Sequence, residues 1–212
     1  MMDKNIVRQE IVTACKEFSS LGLTVGSWGN ISICRDGMFA ITPSGLGYDK
    51  LTEEDIVIAG EETKRRPSSE LPLHKAIYAN RNDVHAIVHI HSVFATALAV
   101  ARRALPVVTE DGVCLAETAI KCAEYALAGT EELAHNAVEA LENNNAVLLA
   151  NHGAVVCANT LGEALLYAQL LEKMAKIYYL SENLGGAKKI SKENLLKLRD
   201  FYFNTYSKLQ KR

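Results

Sequence analysis

The chain lacks long apolar runs and a marked excess of charge of either sign. Its apolar runs, such as 146–150, are far too short to span a bilayer, so no membrane segment is predicted. The first ten residues contain no apolar signal core, so no export is expected. A formal net charge of −2 does not indicate the basic surface that nucleic-acid-binding proteins usually have. These absences favour a cytoplasmic protein with neither a membrane nor a nucleic acid as partner.

The chain also lacks paired cysteine motifs, internal repeats and a linker. Its five cysteines are scattered and odd in number, and none forms a C-x-x-C pair, which is typical of reduced thiols in a cytoplasmic protein. With 212 residues, 49% of them hydrophobic, the chain can bury a large core without disulfides. We therefore expect a single domain over residues 1–212.

Helical and β-rich patterns alternate along the chain. Apolar spacing and stop signals predict helices at 5–20, 68–81, 93–103, 131–142, 161–183 and 192–208. β-rich runs predict a hairpin at 30–42 around Asp36-Gly37, a strand at 84–91, and two strands on either side of 151–153. Serines are expected to cap the second and third helices, with Pro72 in the first turn of the second. This mixture predicts an α/β or α+β fold.

Two histidines on the predicted strand 84–91 are the first candidates for chemistry. Residues i and i+2 of a strand point to the same face, so His89 and His91 project side by side. Catalytic zinc sites usually take three protein ligands, and His152, at a strand end, is the best third candidate. The alternatives are hydrogen-bonded histidines on a half-exposed sheet face and, for His152, a polar turn residue.

The other three histidines have no assigned chemistry. His85 shares the strand parity of the pair but lies further down the face, where a core or supporting role is expected. His74 and His135 lie on predicted helices and are expected to be surface or packing residues.

Three short stretches are rich in small polar residues: Gly26–Ser32, Thr42–Gly45 and Pro67–Glu70. Their hydroxyls and backbone amides, together with a helix N-terminus at 68–69, are the donors that a phosphate cradle needs. The alternative is that the serine pair only caps the helix. Glu70, expected in the first helical turn, is either another capping residue or a metal ligand and base.

Taken together, the motifs "GNIS", "ITPSG", "PSSE", "VHIHS" and "NHG" resemble, in this order, those of the class II aldolase/adducin family. The chain is most similar to the zinc-dependent L-fuculose-1-phosphate aldolases of that family, from "LGLTVGSWGNIS" through the last predicted helix. The resemblance implies an α/β fold: a three-layer α/β/α sandwich with a mixed, mostly antiparallel central sheet. It also implies a fourfold cyclic homotetramer with active sites at subunit interfaces.

The resemblance also assigns roles to individual residues. His89, His91 and His152 match the ligands of one zinc ion per subunit, and Glu70 matches an acid/base glutamate that also closes the metal shell. Tyr206 matches a catalytic tyrosine that reaches into a neighbouring subunit's site. The phosphate binders are matched by Ser27 (where threonine is usual), Gly29, Asn30, Ser44, Gly45, Ser68 and Ser69.

One departure concerns Glu110, which falls where the fuculose-phosphate enzymes have a catalytic tyrosine near the aldehyde end. The implied reaction is the reversible cleavage of a ketose 1-phosphate, L-fuculose 1-phosphate first, to dihydroxyacetone phosphate and L-lactaldehyde. Because of Glu110, related activities stay open: 5-deoxypentulose-phosphate aldolase, pentulose-phosphate 4-epimerase, 3-oxo sugar-acid phosphate decarboxylase and thiosugar-phosphate dehydratase. The motif around Trp28 resembles that of the epimerases. A non-catalytic, adducin-like interaction module is the alternative of another class.

Overall fold

The computed structural model describes residues 3–206, and for Tyr206 the backbone alone. The helices of this part of the chain are α1 Lys4–Ser20, α2 Leu71–Asn80, α3 Val93–Val100, α4 Glu131–Leu141, α5 Leu161–Asn183 and α6 Lys192–Phe201. The strands are β1 Asn30–Arg35, β2 Met38–Ile41, β3 Val57–Ile58, β4 Ala86–Ile90, β5 Leu105–Pro106, β6 Ala119–Ile120, β7 Cys122–Ala123, β8 Ala146–Leu149 and β9 Gly153–Ala158. None of the helices in residues 3–206 is long and apolar enough to cross a membrane.

Seven strands form one sheet in the order β3-β2-β1-β4-β9-β8-β7, and β5 and β6 form a separate two-stranded ladder. Within the large sheet, β7 and β8 are parallel and the other neighbours are antiparallel. The predicted mixed, mostly antiparallel sheet is therefore confirmed. Its centre is β4, which lies between β1 and β9.

Helices cover both faces of this sheet. α1, α3 and α5 contact one another or the sheet on one face, while α2 and α4 pack together on the other. On β4, Ala86, Val88 and Ile90 join the first core, whereas Ile87 joins the second. Because side chains alternate along a strand, His89 shares the face of Ile87 and points toward α2 and α4. The predicted three-layer α/β/α sandwich is confirmed.

The hairpin between β1 and β2 turns at the two residues that the sequence indicates. Arg35 pairs with Met38, so Asp36 and Gly37 form the loop, and both have positive φ values of 54° and 78°. That is the backbone of a type I′ turn, whose twist suits a two-residue hairpin.

The predicted start of the second helix was wrong. The helix begins at Leu71, and Glu70 occupies the N-cap position without capping it through its side chain. The preceding residues are held extended, since Pro43 and Pro67 form a β-bridge and the Ser68 N–H donates to the Thr42 carbonyl. This pairing keeps the serines out of the helix and frees the carboxylate of Glu70.

The predicted cap of the third helix was half right. Ser92 is the N-cap residue of α3, but its side chain makes no capping hydrogen bond. Instead, the Glu172 carboxylate of α5 accepts from the backbone N–H groups of Phe94 and Ala95 at 2.9 Å each. A carboxylate from another helix therefore satisfies the free N–H groups of this helix end.

The last predicted helix, 192–208, is shorter in the structure. α6 ends at Phe201, and a π-helical turn follows at Tyr202–Tyr206. Residues 207 and 208 of that prediction lie outside the described residues.

Gly153→Ala is expected to destabilise the protein strongly. A Cβ at this position would lie 2.3 Å from the Ile90 carbonyl oxygen, so β4 and β9 would have to separate. We expect the free energy of unfolding to fall by about 2–3 kcal/mol, measured by urea denaturation at fixed protein concentration. Gly162→Ala is the matched control, because a Cβ there meets no atom within 4 Å. Equal midpoints for the two variants would contradict the close approach of the strands.

Candidate metal centre and the cavities beside it

Four side chains converge beside the end of β4: Glu70, His89, His91 and His152. One ligand atom from each lies within 4.8 Å of the others. His89 is in β4, His91 follows that strand, and His152 lies in the turn between β8 and β9. Because Ile90 pairs with Ala154, the turn before β9 is brought next to the end of β4.

The separations between the donor atoms suit a metal ion. His89 Nε2 lies 2.9 Å from His91 Nε2, 3.3 Å from His152 Nε2 and 3.0 Å from Glu70 Oε2. Ligands about 2.0–2.1 Å from a tetrahedral metal stand about 3.3 Å apart. Glu70 Oε1 is buried without a hydrogen-bond donor among the described residues and lies 3.4 Å from His152 Nε2. An acceptor left in that state fits a bound cation.

A backbone contact orients the imidazole of His89. Its Nδ1 lies 2.9 Å from the Ala154 carbonyl oxygen, and His89 is fully buried. A carbonyl only accepts, so Nδ1 carries a proton, and Nε2 is the nitrogen that faces the cluster. Histidine ligands of metals usually have such a second partner.

The environment keeps the other two histidines neutral. Burial, with the neighbouring His89, lowers the pKa of His91 to about 3 and that of His152 to about 4. Burial alone would raise the pKa of Glu70. The neighbouring His89, followed by His152 and Asn30, lowers this pKa by a larger amount in total, so the net shift is downward. Burial acts to lower the pKa of His89, but the Glu70 carboxylate beside it gives a net upward shift. At neutral pH the cluster therefore offers two neutral imidazoles, an ionised carboxylate and one imidazole whose proton a divalent metal would displace.

A cavity of about 240 Å³ opens beside this cluster, lined in part by Glu70, His91 and His152. All seven residues that the resemblance assigns to phosphate line it as well: Ser27, Gly29, Asn30, Ser44, Gly45, Ser68 and Ser69. Among the described residues that line it there is no lysine or arginine. An anion in this cavity would therefore be held by hydroxyls, backbone amides and the N-terminus of α2.

The cavity wall is built by loops that approach the sheet closely. Ser44 N–H donates to the Arg66 carbonyl at 3.0 Å, which joins the 42–45 and 66–69 loops. Gly29 has a φ of 74°, and a Cβ there would lie 2.5 Å from the His89 carbonyl oxygen. Only glycine allows the 26–29 loop to pass β4 in this way.

A second cavity adjoins the cluster on another side, lined by Val25, Trp28, His91, Asn151 and His152. Val25 and Trp28 are 78% and 66% exposed, and the Trp28 ring centroid lies 5.9 Å from that of His91. No pattern in the sequence indicates Val25, and Trp28 is indicated only because the motif around it resembles that of the 4-epimerases. Two exposed apolar side chains therefore stand directly beside the candidate metal ligands.

Behind Glu70 lies a chain of buried polar groups. Asn30 Nδ2 donates to Glu70 Oε2 at 2.8 Å, and Asn30 Oδ1 meets His74 Nε2. His74 Nδ1 lies 2.6 Å from Ser32 Oγ, which lies 2.8 Å from the Tyr78 hydroxyl. The sequence alone predicts His74 to be a surface or packing residue. The available signal was its position one helical turn after Glu70.

The remaining candidates lie elsewhere. Glu110 is exposed and lines a different cavity, against Ile190 and residues of α6. The Tyr206 side chain lies outside the described residues. His85 Nδ1 donates to the Cys34 carbonyl at the far end of the sheet face, and His135 is 71% exposed beside Glu139. All five cysteines are free, as predicted.

An α/β/α sandwich with three histidines and a glutamate at one point, beside an open polar cavity, defines a candidate metal centre of the catalytic type. Residues 9–179 match the family model described as Class II Aldolase and Adducin N-terminal domain. The chain belongs to this family, as the resemblance predicted.

The relatives are aldolases. The 5-deoxy-D-ribulose 1-phosphate aldolase of Bacillus thuringiensis serovar kurstaki is 41% identical over 205 residues, covering 92% of this chain and 96% of that protein. The L-fuculose phosphate aldolase of Escherichia coli K12 is 38% identical over 182 residues, covering 84% of each chain. A solved structure of L-fuculose 1-phosphate aldolase matches with a TM-score of 0.90 at 37% identity, covering 93% of this chain and 96% of that one.

These matches bear on the enzyme class. Aldolases are lyases, so the protein is a lyase of the class II aldolase family. Class II aldolases depend on a metal, and Glu70 with the three histidines could hold it.

Proposed function

We propose that this protein is a zinc-dependent aldolase that reversibly cleaves a ketose 1-phosphate to dihydroxyacetone phosphate and a short aldehyde. The observation that carries the proposal is the shared wall: Glu70, His91 and His152 line the same cavity as the seven predicted phosphate binders. Zinc is the proposed metal, since three imidazole nitrogens and one carboxylate are a donor set that zinc favours. The size of the cavity suits a small phosphorylated sugar.

In the proposed mechanism, the substrate phosphate lies in the polar cavity among the serine hydroxyls and loop amides. That contact fixes the ketose carbonyl beside the three histidines. Such orientation of a substrate lowers the activation barrier of its reaction substantially. A divalent metal at these histidines supplies a Lewis acid, which polarises the carbonyl and stabilises negative charge where it develops. No lysine Schiff base is required.

Proton transfer is assigned to named side chains. A base removes the proton from the hydroxyl on the carbon that leaves as the aldehyde, and Tyr206 of a neighbouring subunit and Glu110 are the candidates. Cleavage leaves a three-carbon enediolate. The proton that the base removed passes through solvent to Glu70, which delivers it to the enediolate carbon to give dihydroxyacetone phosphate. Asn30, which donates to Glu70 Oε2, steadies that carboxylate.

Two substrates are proposed. L-fuculose 1-phosphate would yield L-lactaldehyde, and the 38% identity to an L-fuculose phosphate aldolase supports it. 5-Deoxy-D-ribulose 1-phosphate would yield acetaldehyde, and the 41% identity to an aldolase of that name supports it. Glu110, which stands where the fuculose-phosphate enzymes have a tyrosine, leaves room for this second substrate. Both substrates end in a methyl group, which suits the cavity lined by Val25 and Trp28.

A panel of ketose phosphates tests the proposal. We expect kcat/KM for a methyl-terminated ketose 1-phosphate to exceed that for the same sugar with a terminal hydroxyl by about 10- to 100-fold. The reason is that an apolar wall offers the hydroxyl no hydrogen-bond partner. Dihydroxyacetone phosphate release is measured with a coupled dehydrogenase, and the aldehyde is identified by mass. Trp28→Ala should reduce this preference, whereas Trp28→Phe should keep it.

The panel also separates the alternatives. If the zinc-loaded protein cleaves no ketose 1-phosphate, the aldolase proposal fails, and epimer formation from a pentulose 5-phosphate would favour the epimerase. The proposal includes a cytoplasmic homotetramer with interfacial sites and one zinc per subunit, as the resemblance implies. Light scattering checks the mass, and elemental analysis checks the stoichiometry; protein isolated without metal would favour the adducin-like module.

A further inference from the structure

We propose that His74 is a positioning residue, which fixes the amide of Asn30 so that Asn30 in turn holds the Glu70 carboxylate in place. The proposal rests on the proposed function for the role of Glu70. The His74 side chain is outside the four-residue metal cluster and is not among the described residues that line the cavity. It acts through Asn30 alone.

The position of His74 connects two elements that carry the site. His74 lies on α2, one turn after Glu70, and is fully buried against β1. Asn30 and Ser32 are two residues apart on β1, so both side chains face α2. The imidazole bridges these two side chains, while Asn30 pairs across the sheet with His89. His74 therefore joins the helix that carries Glu70 to the strand beside the candidate ligand.

The directions of the hydrogen bonds fix the tautomer of His74. An ionised carboxylate only accepts, so the NH₂ group of Asn30 must face Glu70 and its oxygen must face His74. His74 Nε2 must then carry the ring proton, which leaves Nδ1 to accept from Ser32 Oγ. Because the Ser32 proton is then directed at His74, the Tyr78 hydroxyl, which also donates to the Ser32 carbonyl oxygen at 3.0 Å, is the donor that faces Ser32 Oγ. Each member has a partner in this tautomer, whereas the other tautomer sets a lone pair against the Asn30 oxygen.

Burial supports a neutral ring, since it lowers the pKa of His74 to about 3, even though the charge of Glu70 acts in the other direction. A neutral imidazole has a single N–H, and here that N–H is committed to Asn30. This row of hydrogen-bonded groups therefore holds side chains in place and does not exchange protons with the site. Without the His74 donor, the Asn30 amide can rotate and present its oxygen to Glu70, which repels the carboxylate.

Two variants with similar polarity separate positioning from folding. In His74→Gln, the side-chain amide reaches about as far as ring Nε2 and can still donate to Asn30. In His74→Asn, the amide ends near ring Nδ1 and contacts Ser32 instead. We expect His74→Asn to lower kcat by about 10- to 100-fold, the usual range for outer partners of metal sites, with KM changed less than about threefold. His74→Gln should stay within about fivefold of wild type.

A second readout does not depend on turnover. The Kd for zinc, measured by competition with a chelator, should be about tenfold higher for His74→Asn than for wild type or His74→Gln, because Glu70 loses its orientation. Histidine ¹⁵N spectra of the zinc-loaded wild type should show His74 as the neutral Nε2–H tautomer at pH 7. A protonated ring or the Nδ1–H tautomer there would overturn the proposal.

The remaining outcomes are also decisive. Equal kcat in the two variants, or a raised KM with kcat unchanged, would show that His74 serves only packing or phosphate binding. If wild type cleaves no ketose phosphate, the proposed function fails, and the chelator comparison still tests His74. If His74→Asn does not fold, Ser32→Ala takes its place: a lower kcat with KM held supports the proposal, and wild-type kcat overturns it.

Discussion

Treatment with a strong chelator is expected to lower the rate of ketose 1-phosphate cleavage by about 10³-fold or more, and added zinc is expected to restore it. A Lewis acid at a developing oxyanion contributes several kcal/mol, and about 4 kcal/mol corresponds to that factor. No described lysine or arginine lines the cavity to replace the lost charge. The measurement is the coupled release of dihydroxyacetone phosphate, with zinc content followed on the same samples.

A pair of histidine variants controls for damage by the chelator. His152→Ala removes one of the clustered imidazoles and should lose both zinc and activity. His135→Ala removes an exposed imidazole beside Glu139 and should retain both. Full activity in a sample verified to be free of metal would refute the proposed mechanism.

Glu70→Gln is expected to retain its zinc in buffer without a competing chelator and to lose most of its proton exchange. The three histidines still present their nitrogens, while the amide cannot accept a proton at neutral pH. Loss of general acid–base catalysis typically costs 10²- to 10⁴-fold. Solvent deuterium incorporation into dihydroxyacetone phosphate, followed by mass spectrometry without any aldehyde, isolates this step from the carbon–carbon cleavage.

The matched control for this experiment is Glu110→Gln, which removes an exposed carboxylate from a different cavity. Because exchange into dihydroxyacetone phosphate needs no aldehyde, this variant should exchange at the wild-type rate. Exchange at the wild-type rate in Glu70→Gln would instead remove Glu70 from its assigned role. Exchange lost together with zinc would mean that Glu70 acts mainly as a ligand.

Local rules in the sequence predicted the elements that carry the cluster. Strand parity placed His89 and His91 side by side, because a two-residue period is a geometric property of any strand. The Asp36-Gly37 turn and the long helix α5 also follow from local chemistry, and the structure confirms both. The strand-end position of His152 made it the best third candidate, but the family resemblance was needed to favour a ligand over a polar turn residue, since no local signal brings a distant turn to the end of a strand.

Features that depend on tertiary contacts were missed. Glu172 caps α3 from another helix, so no spacing within α3 reveals it. The helix at Glu70 starts late because the 42–45 loop pairs with the residues before it, which propensity cannot register. His74 lies in a network whose other members come from β1 as well as α2, and a lone helical histidine gives no sign of this.

The position of β4 at the centre of the sheet also governs when the site can form. His89 pairs on one side with Asn30 and on the other with Val155, and both partners lie far away along the chain. Such non-local pairings form slowly, so His89 and His152 come together only once β4 and β9 have paired. The amides of β4 will accordingly exchange with solvent only through large-scale opening of the sheet.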